Sequence, residues 1–495
     1  MRTMIIPDAE SVDIFFRSSG APVVPGNAVR VLCDAEENYP AWFAAIESAR
    51  ETIHVEMYIV HNDRIGRRFR DLLVEKAQAG VRVRVLYDWF GSLRLSSINF
   101  WRPLMRAGGE VRVANPLRLD TVLGLVSRDH RKLLTVDGRI AFVSGLCIGD
   151  DWVGDEARGI APWRDTGIEI VGPAVTDADA VFASAWQLWG DPLPEAEITR
   201  RAKIPEAGSV ELRVIAASPE MAKLYRLDLS VANIVRERLW LTDAYFIVTP
   251  IYREALCSAA SDGVDVRVLV PHTSDIQWIA NYSRTQYRRL LDCGVRIFEW
   301  NGPMIHAKTA VADGKWARIG STNLNASSWI GNWEIDVTIY DEKISEEMEE
   351  IFLEDLTNAT EVVITARNKV RLSSWPGRRI VRRRRGLKSA RGSANRVVKD
   401  VRAMGTVLDA AVKGHRVLER NEASTLLFLS VLTCGVAALF FWFPKAIAYP
   451  IVVFLAWVGL SLMVQALKLR FGKTPPDALD EPDAPRAIDP VERAR

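Results

Sequence analysis

Along this chain the spacing of apolar residues changes in a repeating order. In "RRFRDLLVEKAQAG" they recur every three to four positions, as on one face of a helix, and past the closing glycine "VRVRVL" alternates as a strand does. The same order returns in "YREALCSAASDG" followed by "VDVRVL". Over a longer stretch, "AQAGVRVRVLYDWFGS" (Ala77 to Ser92) is echoed by "ASDGVDVRVLVPHTSD" (Ala260 to Asp275), so the chain reads as an internal duplication. Helices alternating with β-branched strands predict two α/β halves built on parallel or mixed sheets.

The pattern breaks after about residue 365. The segment from Arg367 to Arg420 contains "RRIVRRRRGLKSARGSANRVVK" and only three acids, Asp400, Asp409 and Glu419. Beyond it, Ala423 to Phe443 and Ala446 to Leu467 carry no charged residue, and only Pro444 and Lys445 separate them. Each run has the roughly 20 residues that a helix needs to cross a hydrocarbon core, which predicts a C-terminal transmembrane helical hairpin. Basic residues precede the hairpin, and Lys468, Arg470 and Lys473 follow it, so the positive-inside rule puts both flanks and the catalytic halves in the cytoplasm. The arginine-rich segment then lies at the membrane, where each basic residue near an anionic surface contributes about 1 kcal/mol of attraction. The last stretch, rich in proline and acids, has the composition of a disordered tail.

Composition adds little to this. At 495 residues the chain exceeds one ordinary core, its 48% hydrophobic content excludes a disordered polymer, and a net charge of +2 gives no global attraction to nucleic acid. The five cysteines form no CxxC pair and no zinc spacing, so a reduced, disulfide-free interior is expected.

The candidate chemistry lies in a second repetition. "DHRKLLTVDGRIAFVSG" and "IHAKTAVADGKWARIGS" each contain His-x-Lys-x-x-x-x-Asp-Gly, displaced by 176 residues between His130 and His306. That period is too long for a solenoid and suits tandem domains. Histidine and lysine two apart on a strand face the same way, so His130 with Lys132, and His306 with Lys308, can reach one ligand. Imidazole attacks or carries protons near neutral pH, and an ammonium stabilises a phosphate oxyanion. Displacement at phosphorus needs one group to attack and another to protonate the leaving oxygen, and two facing copies supply both. Asp137 and Asp313 precede a glycine and a strand, which suits a turn more than catalysis, although the motif counts them with the catalytic set.

The duplicated motif resembles that of the phospholipase D superfamily over roughly residues 29 to 365. The segments "RDHRKLLTVDGRIAFVSGLCIGDDW", "WRDTGIEIVGPAV" and "AGVRVRVLYDWFGS" are most similar to bacterial cardiolipin synthases. The resemblance implies two tandem phospholipase D-like domains sharing one active site, and no metal or other cofactor. From "GSTNLNASSWIGNWEID" it implies that Ser321 and Asn323 bind phosphate and that Glu334 orients a histidine, with Asp165 the corresponding acid of the first copy. The first copy departs in "SGLCIGDDW", where Cys147 stands at the usual asparagine.

These readings predict an α/β chain with an N-terminal segment (1–28), two phospholipase D-like domains (29–195 and 196–365), a basic linker (366–422), a transmembrane hairpin (423–467) and a tail (468–495). The resemblance implies an enzyme of the bacterial inner membrane that moves a phosphatidyl group from phosphatidylglycerol to a lipid hydroxyl through a phosphatidyl-histidine. By family analogy His130 is the nucleophile. The partners expected are phospholipid substrates and the anionic membrane surface. A hydrolase releasing phosphatidic acid is the alternative. A nuclease is disfavoured by the hairpin, and a lipid-binding scaffold by two intact motifs.

Overall fold

The computed structural model describes residues 18–92, 98–116, 127–199, 204–219, 221–364 and 370–372, with four further positions between 456 and 463. The first half runs β1 (Val24–Cys33), α1 (Asp34–Ser48), β2 (Thr52–Met57), α2 (Arg64–Gln78), β3 (Arg82–Asp88), α3 (Ile98–Arg106), β4 (Glu110–Ala114), β5 (Lys132–Val136), β6 (Ile140–Ser144), β7 (Thr166–Val171) and α4 (Val175–Leu188). The second half repeats the order from β8 (Val210–Ala217) through α5 (Lys223–Ile234), β9 (Arg238–Thr242), α6 (Pro250–Ser261), β10 (Asp265–Pro271), α7 (Gln277–Asp292), β11 (Arg296–Trp300), β12 (Thr309–Ala312), β13 (Trp316–Gly320), β14 (Glu334–Tyr340) and α8 (Glu342–Thr357), then adds β15 (Ala359–Ile364) and β16 (Val370–Leu372). The helix and strand periods read from "RRFRDLLVEKAQAG" and "YREALCSAASDG" are therefore α2 with β3 and α6 with β10.

The described strands join in one sheet whose order is β16-β15-β11-β10-β9-β12-β13-β14-β8-β1-β7-β6-β5-β2-β3-β4. The order from β4 inward to β1 repeats that from β11 inward to β8, and the copies meet where β1 pairs antiparallel with β8. Within each half the helix-connected strands are parallel (β2 with β3, β9 with β10), while the hairpins carrying the His-x-Lys motifs are antiparallel.

Strand alternation decides where the cores lie. In β5 and β6, Leu133, Ala141 and Val143 enter a core shared by both halves, while Leu134, Val136 and Phe142 enter one belonging to the first half alone. The second half does likewise, with Leu269 in the shared core and Val266, Val268 and Val270 in its own. Helices α4 and α8 contribute Phe182, Trp186, Met348 and Phe352 to the shared core, so the halves pack as one compact unit rather than as separate bodies.

Three expectations are corrected. The first domain starts at β1, at Val24 rather than 29, because "VRVLC" is the end of a longer strand that pairs with β7 and β8. The basic linker does not begin at 366, since Val370–Leu372 pairs antiparallel with β15 and covers its edge. Cys257 and Cys293 form a disulfide with Cα atoms 5.3 Å apart, where a reduced interior was expected. Their positions, on α6 and just past α7, meet only once those helices pack, and a separation of 36 residues leaves no local sign. The hairpin at 423–467 and the tail at 468–495 fall almost wholly outside the described residues. Among the described residues no helix is long and apolar enough to cross a membrane.

Candidate active site

Each motif enters its site at the start of a hairpin strand. Lys132 opens β5 and Lys308 immediately precedes β12. At the other end of each strand, Asp137-Gly138 and Asp313-Gly314 form two-residue turns with φ positive at both positions (52° and 59°, 53° and 63°), the geometry that matches hairpin twist and favours Asp-Gly. The Asp137 carboxylate accepts the backbone N–H groups of Arg50, Glu51 and Thr52 at 2.9, 2.7 and 2.9 Å, and Asp313 accepts those of Arg236, Glu237 and Arg238 at 2.9, 2.8 and 3.0 Å. Each carboxylate thus ties its hairpin turn to the start of the neighbouring strand, a full strand length from its histidine, in keeping with the turn role expected of the Asp-Gly pair.

The acids pair crosswise. His130 of the first half meets Glu334 of the second, Nδ1 to Oε2 at 2.9 Å, and His306 of the second meets Asp165 of the first, Nδ1 to Oδ2 at 2.7 Å. The backbone follows the same exchange. His130 N–H donates to Trp333 O at 2.9 Å and His306 N–H to Arg164 O at 2.7 Å, so the residue preceding each acid holds the opposite histidine. A carboxylate facing Nδ1 makes that nitrogen the donor, which leaves the Nε2 lone pair free to attack phosphorus or take up a proton.

The surroundings set the charges. Burial drives the His130 imidazole down to about 4 against the pull of Glu334, with Lys132 and Lys308 adding to the fall. Burial lowers His306 too, and both lysines push the same way, so all four motif side chains share one electrostatic site. Burial alone would raise Glu334 and Asp165, but the imidazole and ammonium groups beside them prevail and hold both below their usual range. Burial brings the Lys308 ammonium down to about 8. Both ammonium groups donate to the carbonyl of the histidine two residues earlier, Lys132 to His130 O at 2.5 Å and Lys308 to His306 O.

A family model described as "Cardiolipin synthase, PLD-like domain" matches residues 43–150 and 230–356. A cardiolipin synthase of Geobacillus thermodenitrificans is 34% identical over 352 residues, covering 70% of this chain and 70% of that protein. This chain belongs to the cardiolipin synthase family of phospholipase D-like proteins. A Listeria welshimeri cardiolipin synthase is 32% identical over 347 residues, covering 68% of this chain and 71% of that one. Among solved structures, the phosphatidylserine synthase of Haemophilus influenzae shares the fold, with a TM-score of 0.58 at 14% identity over 71% of this chain and 92% of that one.

Within this cardiolipin synthase family fold, the two phosphate-binding candidates separate. Asn323 is buried, and its Nδ2, the side-chain atom able to donate to a phosphate oxygen, stands 3.5 Å from Ser328 Oγ. Ser321 lies against Glu334: its Oγ donates to Glu334 Oε2 at 2.5 Å and accepts the Ile335 N–H at 2.9 Å. Asn332 Nδ2 donates to the other Glu334 oxygen at 3.3 Å. In the first half Gly145 occupies the serine's place, and Trp152 Nε1 instead donates to Asp165 at 3.0 Å. Cys147, at the place of Asn323, is buried and its thiol is pushed up by burial, which leaves a weak neutral donor.

Sequence reasoning missed the aromatic walls. Tyr58 stands edge-on to His130 with ring centroids 4.7 Å apart, and the Lys132 ammonium lies 4.9 Å from its centroid. Tyr245 repeats this beside His306 and Lys308 at 5.9 and 5.8 Å. Trp152 and Trp163 stand 5.7 and 5.8 Å from His306. The available signal was "YIV" after β2 matched by "YFIV" after β9. Asp243, buried before Tyr245, accepts the Leu324 N–H at 2.7 Å and steadies the segment that carries Asn323; burial raises it to about 7.

Proposed function

We propose that this chain is a membrane-bound phosphatidyltransferase of the cardiolipin synthase type that works through a phosphatidyl-histidine. The observation that carries the reading is the crosswise pairing of two buried histidines with two buried carboxylates beside two lysines. Arrival of a phosphodiester anion offsets the lysine charges and lets one imidazole hold a proton while the other stays neutral. The neutral Nε2 attacks phosphorus, a P–N bond forms and the P–O bond to the head-group alcohol breaks. The second imidazolium gives its proton to the departing oxygen, then takes one from the hydroxyl of an acceptor lipid, whose oxygen displaces histidine from phosphorus. Lys132, Lys308 and Asn323 hold the phosphoryl oxygens throughout. His130 is assigned as nucleophile by family analogy, with phosphatidylglycerol as donor.

In this proposal the repeats span 29–195 and 196–365, with the first extended back to β1 and the second on to β16, and residues 423–467 anchor them in a bacterial inner membrane while the basic segment meets anionic lipid. A cytoplasmic site follows from the flanking charges. The Cys257–Cys293 disulfide favours the opposite face, since such bonds persist in oxidising compartments. Reporter fusions after residue 473 decide between the two. The activity test is purified full-length protein in phosphatidylglycerol vesicles: cardiolipin and glycerol in equal amounts support transfer, and phosphatidic acid without cardiolipin replaces it with hydrolysis.

A further inference from the structure

We propose that Phe90, just after β3, and the exposed face of α7, after β10, form a two-pronged rim that seats the mouth of the active site on a phospholipid bilayer. This rests on the reading of a diacyl lipid as substrate. The strands correspond in the duplication, and the next helices along the chain are α3 and α7. Phe90 stands on the first prong, and Ile276, Trp278 and Tyr282 on the second. Phe90, Trp278 and Tyr282 are 48%, 61% and 53% exposed, although core positions on the same helices are sealed. On α7 the buried face is Ala280, Ser283, Tyr287 and Leu290, so Trp278 and Tyr282, four apart, share an outward face.

Both prongs are wired to the catalytic centre. The Phe90 N–H donates to Asp88, whose other oxygen accepts the N–H of Asp129, the neighbour of His130. The Arg128 guanidinium lies 3.9 Å from the Phe90 ring centroid, giving this prong a cation for a lipid phosphate. On the other side Tyr245, edge-on to His306, donates its hydroxyl to Asp275 at 2.9 Å, and Ile276 follows directly.

Scattered exposed apolar residues are ordinary on soluble surfaces. Here they follow the corresponding strand in each copy, beside Asp88 and Asp275, the acids that bond the segments carrying His130 and facing His306. The chemistry selects a bilayer as the occupant. Each acyl methylene drawn into water costs about 0.8 kcal/mol, so a lipid phosphate reaches a buried imidazole with least loss when the mouth lies on the membrane and the chains stay in it. Tryptophan and tyrosine, apolar bodies with a polar edge, favour that boundary.

The test compares full-length wild type with Phe90→Ala and with the pair Trp278→Ala and Tyr282→Ala on two substrates: phosphatidylglycerol vesicles, and dihexanoyl phosphatidylglycerol kept monomeric below its micelle concentration. The expected result is a KM on vesicles raised about tenfold with kcat within about twofold, and unchanged kinetics on the monomer. Equal losses on both substrates, or no change on either, overturn the proposal. So does a shift in oligomeric state on light scattering in detergent, which assigns the face to a second copy. A second measurement needs no turnover. Trp278→Cys, labelled with an environment-sensitive dye in a background carrying Cys33→Ser, Cys147→Ser and Cys434→Ser, should be quenched by spin-labelled acyl chains in proteoliposomes. A wild type inactive on both lipids with a quenched label sinks the proposed function and keeps the rim; an unquenched label sinks the rim.

Discussion

The two histidine–carboxylate pairs perform the same task with different parts. His130 has a glutamate, held by the Ser321 hydroxyl and the Asn332 amide, whereas His306 has an aspartate, held by the Trp152 indole. The shorter acid occupies room that the glycine opposite leaves: a Cβ on Gly145 would stand 2.1 Å from Asp165 Oδ1. In the other copy that position carries a side chain, Ser321, and the longer acid reaches its histidine while bonded to it. The His-x-Lys motifs stayed alike while their supports diverged, because attack and protonation both need an imidazole, whereas any buried carboxylate with a donor behind it can orient one. The exchange of acids across the duplication also means that neither half contains a complete pair.

The largest effect should come from the part the halves share. His130→Ala and His306→Ala each lower cardiolipin formation by about 10³-fold or more, since removing either member of a unit that acts jointly forfeits nearly the whole. A variant retaining a tenth of wild-type turnover in either copy would break the shared-site reading.

The acids should come next. Glu334→Gln and Asp165→Asn each lower kcat on the order of 10²-fold with little change in KM, because they orient an imidazole and do not bind lipid. The pH dependence of stability sharpens the comparison. His130 is depressed when folded, to about 4 from an ordinary value of 6.5, so the unfolded chain binds more protons between those values. Stability is complete above about 6.5 and is lost as pH falls toward 4, by a few kcal/mol in order of magnitude. His306, Asp165 and Glu334 are depressed as well and act in the same direction. His130→Gln should flatten part of the acid limb of thermal midpoint against pH and leave the His306 share; an unchanged limb would mean that His130 carries no such shift.

Changes in the supports should cost less. Ser321→Ala removes one of two side-chain donors to Glu334 besides the histidine, and Trp152→Phe removes the indole donor to Asp165. Each should lower kcat about tenfold, a hydrogen bond to a charged group contributing about 1.5 kcal/mol or more. If Ser321→Ala instead raised KM selectively, the serine would be a phosphate ligand after all.

Legibility of the sequence followed the range of the interaction. Helices α2 and α6, their following strands, and the Asp-Gly turns rest on contacts within a few residues, and period or turn chemistry reveals them. Asp165 and Glu334 were recognisable in "WRD" and "NWE", yet their exchange between halves was not, since their spacing of 169 differs from the 176 between histidines and nothing local names a partner. The contact of Ser321 with Glu334 was not legible, because it forms only when β13 and β14 pair. Tyr58, Tyr245 and the Cys257–Cys293 bridge depend on packing between elements distant in sequence, where periodicity carries no signal.

The smallest effect on chemistry should come from the motif's own aspartates, and here the copies should agree. Asp137 and Asp313 sit at φ of 52° and 53°, a left-handed conformation that asparagine tolerates better than other residues. Asp137→Asn and Asp313→Asn therefore keep the turn, remove the charge and put an NH2 group in place of one accepting oxygen. Each carboxylate receives three backbone N–H groups at nearly matching distances, so each variant should lose about 1–2 kcal/mol of unfolding free energy and leave kcat within about twofold. Alanine at either place would add backbone strain and confound the reading. Chemical denaturation together with turnover separates the outcomes. A fall in kcat beyond tenfold at unchanged stability, in either copy, would return that aspartate to the catalytic set and end the parallel between the two hairpins.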